Sequence, residues 1–253
     1  MILRNDIPIL DYDSDPNAVI MPSRHDIPSF PERAVFGFLG DEIDKYAKAE
    51  YAEVITYFET ITKMFPIYKI EYKGEPITLC QAPLGGAAAA HILDFLIGNG
   101  VKKIVASGSC GALIPFEENR FLLPTEALRC EGASYHYLPP SRTVKLNESA
   151  VSSVESTLAK LGVPTERVKT WTTDAFYRET KATVEARRAE GFAVVDMECS
   201  AIAACAEFRG VSLAQILFTA DSLADTDAYD ERGWGKMSME TALRLSLECV
   251  LEM

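Results

Sequence analysis

Residues Ala193–Gly210, AVVDMECSAIAACAEFRG, decide how the chain is read. Ala193, Val194 and Val195 make an apolar, β-branched run of the kind that fills a buried strand. From Cys199 onward the stretch is alanine-rich and helical in character, and Gly210 is a stop signal. A buried strand passing within a few residues into a buried helix is the building unit of an α/β domain. At the join stand two carboxylates, Asp196 and Glu198, among apolar neighbours. Their presence there needs a reason.

The flanking segments repeat the alternation. AVFGFL, Ala34 to Leu39, predicts a short buried strand, and Ile43, Tyr46, Ala47, Val54 and Phe58 recur at a spacing that predicts one helix from Asp41 to about Lys63. MFPIYKIEY and PITLCQA around the turn at Lys73 to Pro76 read as a β-hairpin. PLGGAAAAHILDFLIGNG is a glycine-rich turn followed by a helix, and Val101 to Ser107 is a strand that ends in GSCG. FLLPTEALRC predicts a strand, and residues 131–146 read as a polar loop. A helix capped by Asn147 runs to about Leu161, and a strand spans Glu166 to Thr172. The loop TTDAFYRET, a helix over 181–190, a strand from Val211 to Thr219, the loop ADSLADTDAYDERGW and a last helix from Ser238 complete the chain. The expected fold is α/β: a three-layer α/β/α arrangement with a central mixed β-sheet, one domain over 1–253 with residues 1–33 as an extended arm.

Lysine and arginine total 25 against 37 aspartates and glutamates, a net charge of −12. Such a surface disfavours nucleic acid and anionic membranes, so neither is an expected partner. No apolar run approaches the roughly 18–20 residues of a membrane span, and MILRNDIPILDYDSDP lacks the hydrophobic region of a secretory signal. The expected location is cytoplasmic. The six cysteines include no C-x-x-C pair and read as reduced thiols in or near the core, with no metal site. Cys110 has no local histidine to activate it as a nucleophile. His25, His91 and His136 have no metal-ligand spacing between them.

In open α/β sheets, ligands bind at the carboxyl ends of the strands. Four polar segments fall at such ends: GSCG, TTDAFY, DMECS and TADS. The glycines of GSCG could aim successive N–H groups, with Ser109, at an anion, or could simply close a turn. Asp196 and Glu198 could cap the following helix and favour its dipole, or a buried carboxylate there could accept hydrogen bonds from a bound polyol. Asp221 could open an Asx turn or act as a general acid. Phe176 and Tyr177 could supply a flat stacking wall or pack in the core.

Taken together, VKKIVASGSCGAL, WTTDAFY, VVDMECSAIAACAEFRG and FTADS resemble, over about residues 76–253, the nucleoside phosphorylase family 1, which includes purine nucleoside phosphorylases, uridine phosphorylases and methylthioadenosine nucleosidases. The resemblance implies cleavage of a nucleoside's N-glycosidic bond by pentosyl transfer to inorganic phosphate, a co-substrate, with no cofactor. It implies that Met197 and Glu198 hold the ribose, Phe176 and Tyr177 face the base, and Asp221 protonates or hydrogen-bonds a purine at N7. Gly108 and Ser109 are the implied phosphate contacts, with Arg24 as a replacement for the family's arginine, and Arg232 could be the arginine that some members bring in on closure. The chain lacks the Gln and Arg that uridine phosphorylases carry near FY, reading Tyr177-Arg178-Glu179-Thr180, which favours purines. It also departs at phosphate: Ala106 stands where purine phosphorylases carry arginine, and Arg129 or Arg178, besides Arg24, are the replacements to consider. The nucleosidase branch implies an alternative, hydrolysis, with Glu42 in GFLGDEI as the base for water, against an ordinary first-turn helix acid. A nucleoside-binding protein without turnover is the reading from another class. The family also implies a homo-oligomer, dimer or hexamer, with the arm carrying Arg24 and His25 as the donor to a neighbouring site.

Overall fold

The computed structural model describes residues 2–253. In chain order the elements are β1 (Arg33–Phe38), α1 (Glu42–Ala49), β2 (Glu53–Glu59), β3 (Met64–Tyr72), β4 (Glu75–Gln81), α2 (Gly86–Gly98), β5 (Lys103–Ala112) and β6 (Phe121–Cys130). They continue with β7 (Thr143–Lys145), α3 (Glu148–Lys160), β8 (Glu166–Thr173), α4 (Lys181–Ala189), β9 (Val194–Asp196), α5 (Cys199–Arg209), β10 (Ser212–Ser222) and α6 (Met239–Leu251). The result is a mixed α/β fold with one large central mixed sheet and, among the described residues, six α-helices. No helix among them is long and apolar enough to cross a membrane.

The helix expected over 41–63 is instead a short helix and a strand. Tyr51 takes the left-handed conformation (φ 51°) just past α1, and Glu53–Glu59 pairs antiparallel with β3. A spacing of four, as between Val54 and Phe58, suits one face of a helix but also one face of a strand. The β-branched and aromatic content of EVITYF settles the ambiguity toward strand. The hairpin between β3 and β4 turns through Lys73 and Gly74, both at positive φ (54° and 82°), the two-residue geometry that matches the twist of its strands.

Strand β5 organises the sheet. Its first half pairs in parallel with β1, up to Phe38 opposite Gly108. Its last two residues pair antiparallel with β9, Gly111 opposite Val195 and Ala112 opposite Val194. Its other edge is covered throughout by parallel β10. The order β5–β9–β8–β6–β10 returns to β5, so half of the sheet closes into a ring while β1, β4, β3 and β2 extend from it. Between Gly108 and Gly111, on the side where β1 ends and β9 begins, Ser109 and Cys110 have no strand partner. The sheet parts there.

Helix α5 follows β9 and packs against α2. Every residue from Cys199 to Ala206 is buried, which its small side chains permit by letting neighbouring elements approach. Its closest approach is to the start of α2, where a Cβ on Gly86 would lie 3.0 Å from the Ala201 Cβ. The arm preceding β1 lies on the far end of α2: Asn99, past the last turn, accepts the Arg24 N–H (2.9 Å) and donates to the Pro22 carbonyl (3.0 Å).

Candidate active site

A cavity of about 700 Å³ opens at the parting of the sheet. Its floor is Ser109, Cys110 and Gly111 of β5, and its walls come from Phe38, the β8–α4 turn, the β9–α5 join and the end of β10. The four segments singled out in the sequence meet here.

Asp196, the last residue of β9, is wholly engaged. Its Oδ2 accepts the backbone N–H groups of Glu198 (2.8 Å) and Cys199 (2.6 Å), and its Oδ1 accepts the hydroxyls of Thr170 (2.8 Å) and Thr172 (2.9 Å). It therefore satisfies two of the orphan donors at the start of α5 and ties them to β8. Glu198, two residues on, faces the cavity while only 6% exposed. Its Oε1 accepts the Gly85 N–H at 2.6 Å, so the beginnings of α2 and α5 converge on one carboxylate. Burial, with the charge of Asp196 beside it, pushes its pKa up to about 8. Met197 also lines the cavity.

Asp221 reaches the opposite wall through an irregularity in β10. Thr219 pairs with Cys110 and Ser222 with Ala112, so three steps on β10 face two on β5. Such a bulge breaks the strand's alternation and lets the consecutive residues Ala220 and Asp221 both line the cavity. Tyr229 donates its hydroxyl to Asp221 Oδ2 (3.2 Å), and burial holds the Asp221 carboxyl above the usual carboxylate range. Phe176 and Tyr177 stand on a single helical turn after β8, their rings 4.0 Å apart and tilted by 35°, at the exposed rim.

Several expected residues lie elsewhere. β5 does not end before GSCG but runs through it to Ala112, and neither Gly108 nor Gly111 has a positive φ, so no nest of successive N–H groups forms there. Gly108 instead lets Phe38 close on the strand: a Cβ there would meet the Phe38 Cβ at 3.0 Å. Ser109 does open into the cavity. Arg24, at the far end of α2, pairs with Asp26 (3.5 Å); a helix of 13 residues spans about 20 Å, so this arginine does not reach its own chain's cavity. Glu42 is held by Lys45 (2.8 Å) and Arg232 by the Phe116 carbonyl (2.9 Å), neither in the lining. Arg129 is buried, with its guanidinium donating to Ser134, Leu138, Pro139 and Ser141. Ala106 is fully buried in β5. The Cys110 thiol faces the Phe218 carbonyl, and burial pushes its pKa well up, away from thiolate chemistry.

A family model of the phosphorylase superfamily matches residues 32–250. The chain belongs to that superfamily. Among its relatives this superfamily member is 26% identical to a uridine phosphorylase of Haemophilus influenzae over 121 residues, 47% of this chain and 48% of that one. It thus spans about half the length of such curated relatives. It is 26% identical to a DeoD-type purine nucleoside phosphorylase of Limosilactobacillus reuteri over 216 residues, 79% of this chain and 88% of the other. In fold it is similar to a uridine phosphorylase from Vibrio fischeri (TM-score 0.76, 20% identity, 88% and 93% of the two chains) and to an AMP nucleosidase from Bacteroides thetaiotaomicron (TM-score 0.71, 20% identity, 88% of each).

The structure of this superfamily member adds residues that sequence reasoning did not single out. Glu179 lines the cavity near Asp221; burial and the charge of Asp221 push its pKa up to about 7. Its place in FYRET marks a departure from uridine phosphorylases, but no local pattern in the sequence gives it a role. Tyr229, Phe38 and Lys181 also line the cavity. Among the described residues Lys181 is the one basic side chain in that lining, and it pairs with Asp227 at 2.7 Å.

Proposed function

We propose that the chain cleaves the N-glycosidic bond of a purine nucleoside, passing the ribosyl group to inorganic phosphate and releasing the free base and ribose 1-phosphate. The observation that carries the cleavage is that Glu198 and Asp221 face one cavity from two strand ends, with Phe176 and Tyr177 at its rim. Its volume, about 700 Å³, falls in the range of roughly 300–1,000 Å³ usual for small-molecule sites. As the C1′–N9 bond breaks, its electron pair goes to the base and positive charge gathers on the sugar. Glu198, holding the ribose hydroxyls with Met197 packed on the sugar, stabilises that charge more than the neutral substrate. Asp221, whose carboxyl burial holds above the usual carboxylate range, supplies a proton to N7 of the leaving purine. A phosphate oxygen bonds C1′, approached from the side of Ser109. No cofactor takes part.

Phosphate as acceptor is supported by the uridine and purine nucleoside phosphorylases among the relatives. Water is a second reading, favoured by one observation: among the described residues no arginine lines the cavity, and Lys181 is already paired. A phosphate site therefore needs a cation from outside this chain's own cavity. The exposed arm carrying Arg24, presented to the cavity of a neighbouring copy in a homo-oligomer, is our candidate. The cytoplasm is the compartment this reading carries.

The deciding experiment is incubation with adenosine, inosine, guanosine, uridine and methylthioadenosine, with and without phosphate, following base and sugar products. Ribose 1-phosphate formed only with phosphate present supports phosphorolysis. Free ribose at a rate indifferent to phosphate would replace it with hydrolysis. Ligand binding without release of base from any nucleoside would leave a binding protein.

A further inference from the structure

The loop between β10 and α6 holds a tryptophan in a backbone conformation that is costly for it. Arg232, Trp234 and Gly235 all take positive φ (49°, 59° and 65°), and for a bulky side chain such as an indole this is an outlier. Such conformations persist only where the surroundings fix them. Here the connector between β5 and β6 does so. Glu118 Oε1 accepts the backbone N–H groups of both Gly233 (2.9 Å) and Gly235 (3.0 Å), the two residues that flank Trp234. The Arg232 guanidinium donates to the Phe116 carbonyl (2.9 Å), and the Ser238 hydroxyl to Asn119 Oδ1 (2.9 Å). Both glycines answer to closeness: a Cβ on Gly233 would stand 2.9 Å from Glu118 Oε1, and one on Gly235 2.8 Å from the Phe218 ring.

All this does not bury the indole. Trp234 is 46% exposed and lines the cavity. A clamp around a side chain that stays half open serves its position rather than the core. The register of the sheet gives that position. Gly235 lies on Phe218 of β10, and Phe218 pairs with Ser109 of β5. Phe38, also in the lining, pairs from β1 with Gly108, the residue before Ser109. Trp234 and Phe38 therefore stand at the Ser109 end of the cavity floor, whereas Asp221 stands beside Gly111.

We propose that Trp234 is a wall of the ligand site, covering the bound sugar on its Ser109 side, and that Glu118 is the residue that positions it. This rests on the reading that Glu198 holds the sugar and the acceptor arrives from Ser109. The side reaction held off is attack by bulk water. In that reaction the water oxygen bonds C1′, a proton passes to solvent, and the base leaves with the C1′–N9 electron pair.

The test follows tryptophan emission as adenosine, inosine or guanosine is added without phosphate, beside calorimetric Kd. The chain has two tryptophans; Trp171 is 3% exposed and outside the lining, so a saturable change of emission reports Trp234. The expected result is such a change in the wild type and none in Trp234→Phe. Glu118→Ala should lose it and bind the nucleoside about tenfold more weakly. Glu118→Gln, whose amide oxygen accepts the same two N–H groups, should keep both, which separates a lost clamp from a lost fold. Calorimetric binding with no change of wild-type emission overturns the proposal, as does a Glu118→Ala variant with the wild-type response. With phosphate present, Trp234→Ala should raise the ratio of free ribose to ribose 1-phosphate about tenfold. An unchanged ratio, where the wild type forms ribose 1-phosphate, overturns the proposal alone. A wild type that forms only free ribose removes phosphate as acceptor, while the emission change keeps Trp234 at the sugar. Binding of none of the three nucleosides overturns both.

Discussion

The backbone N–H of Glu198 donates to the side chain of Asp196 at 2.8 Å, so one acid of the Asp-Met-Glu segment fixes where the other points. Asp196 carries four hydrogen bonds, two from backbone and two from hydroxyls. Glu198 carries the Gly85 N–H on one oxygen and faces the cavity. Under the proposed function the pair divides into a positioning residue and a ribose-binding residue.

Asp196→Ala should destabilise the fold by about 3 kcal/mol or more, since it strands two buried N–H groups at the start of α5. Asp196→Asn should cost about 1–2 kcal/mol. Its single oxygen can keep the two N–H bonds while its amide turns to Thr170 and Thr172, whose hydroxyls can rotate to accept. Urea denaturation of the three proteins gives the comparison; equal losses for the two variants would contradict the capping role.

Glu198→Gln should stabilise the protein at pH 8 and leave it nearly unchanged at pH 4. The folded-state pKa of Glu198 is raised from 4.5 to about 8. Below 4.5 both states hold the proton; between 4.5 and about 8 the unfolded chain releases it and the folded one does not, so stability falls as pH rises and then levels off. Glutamine can still accept the Gly85 N–H and has no charge to lose. The gain at pH 8 should be roughly 2–4 kcal/mol, read from urea midpoints across pH. A gain of the same size at pH 4 would assign it to packing instead.

The fold was legible wherever apolar pattern and punctuation agreed. In Ala193–Gly210 the β-branched run, the alanine helix and Gly210 point the same way, and strand, helix and left-handed cap (φ 69°) follow. Asn147 is the N-cap the sequence suggests, accepting the Ala150 N–H. The sequence is ambiguous where one spacing serves two structures, as with Val54 and Phe58, and where a glycine can serve either a turn or a crowded strand. Gly108 and Gly111 are in a strand because neighbours crowd it, not because the chain bends. Glu198 and Asp221 were legible as acids at strand ends. Glu179 was not, because its environment comes from β10, some forty residues away, and no local pattern records it.

Activity should follow a narrow bell in pH. In the proposed reaction Glu198 works ionised, so kcat/KM climbs as its proton leaves, up to about 8. Asp221 works protonated, so activity falls as its proton is lost, and burial places that limb above the usual carboxylate range; the profile of kcat/KM reports the free protein. Asp221→Asn should lower kcat/KM by about 10²–10⁴-fold and abolish the falling limb with a purine nucleoside. Retention of that limb in the variant would move the acid role away from Asp221.

Gly111→Ala should reduce activity and stability together. A Cβ at this position would stand 2.9 Å from Val195 Cγ1, 3.1 Å from Leu223 Cδ1 and 3.2 Å from Asp221 Oδ1. The first contact presses on β9, where it pairs with β5, and the last on the carboxyl proposed to protonate the base. Overpacking of this kind costs about 1–3 kcal/mol, and small displacements of a reacting group cost up to about 10²-fold in rate. Because the Asp221 carboxyl is one of the groups that must give, the loss should appear mainly in kcat, with the affinity for a ribose-only ligand kept within a few-fold. Gly132→Ala, where a Cβ would meet nothing closer than 3.8 Å, is the control. A normal kcat in Gly111→Ala would show that Asp221 does not depend on this close approach.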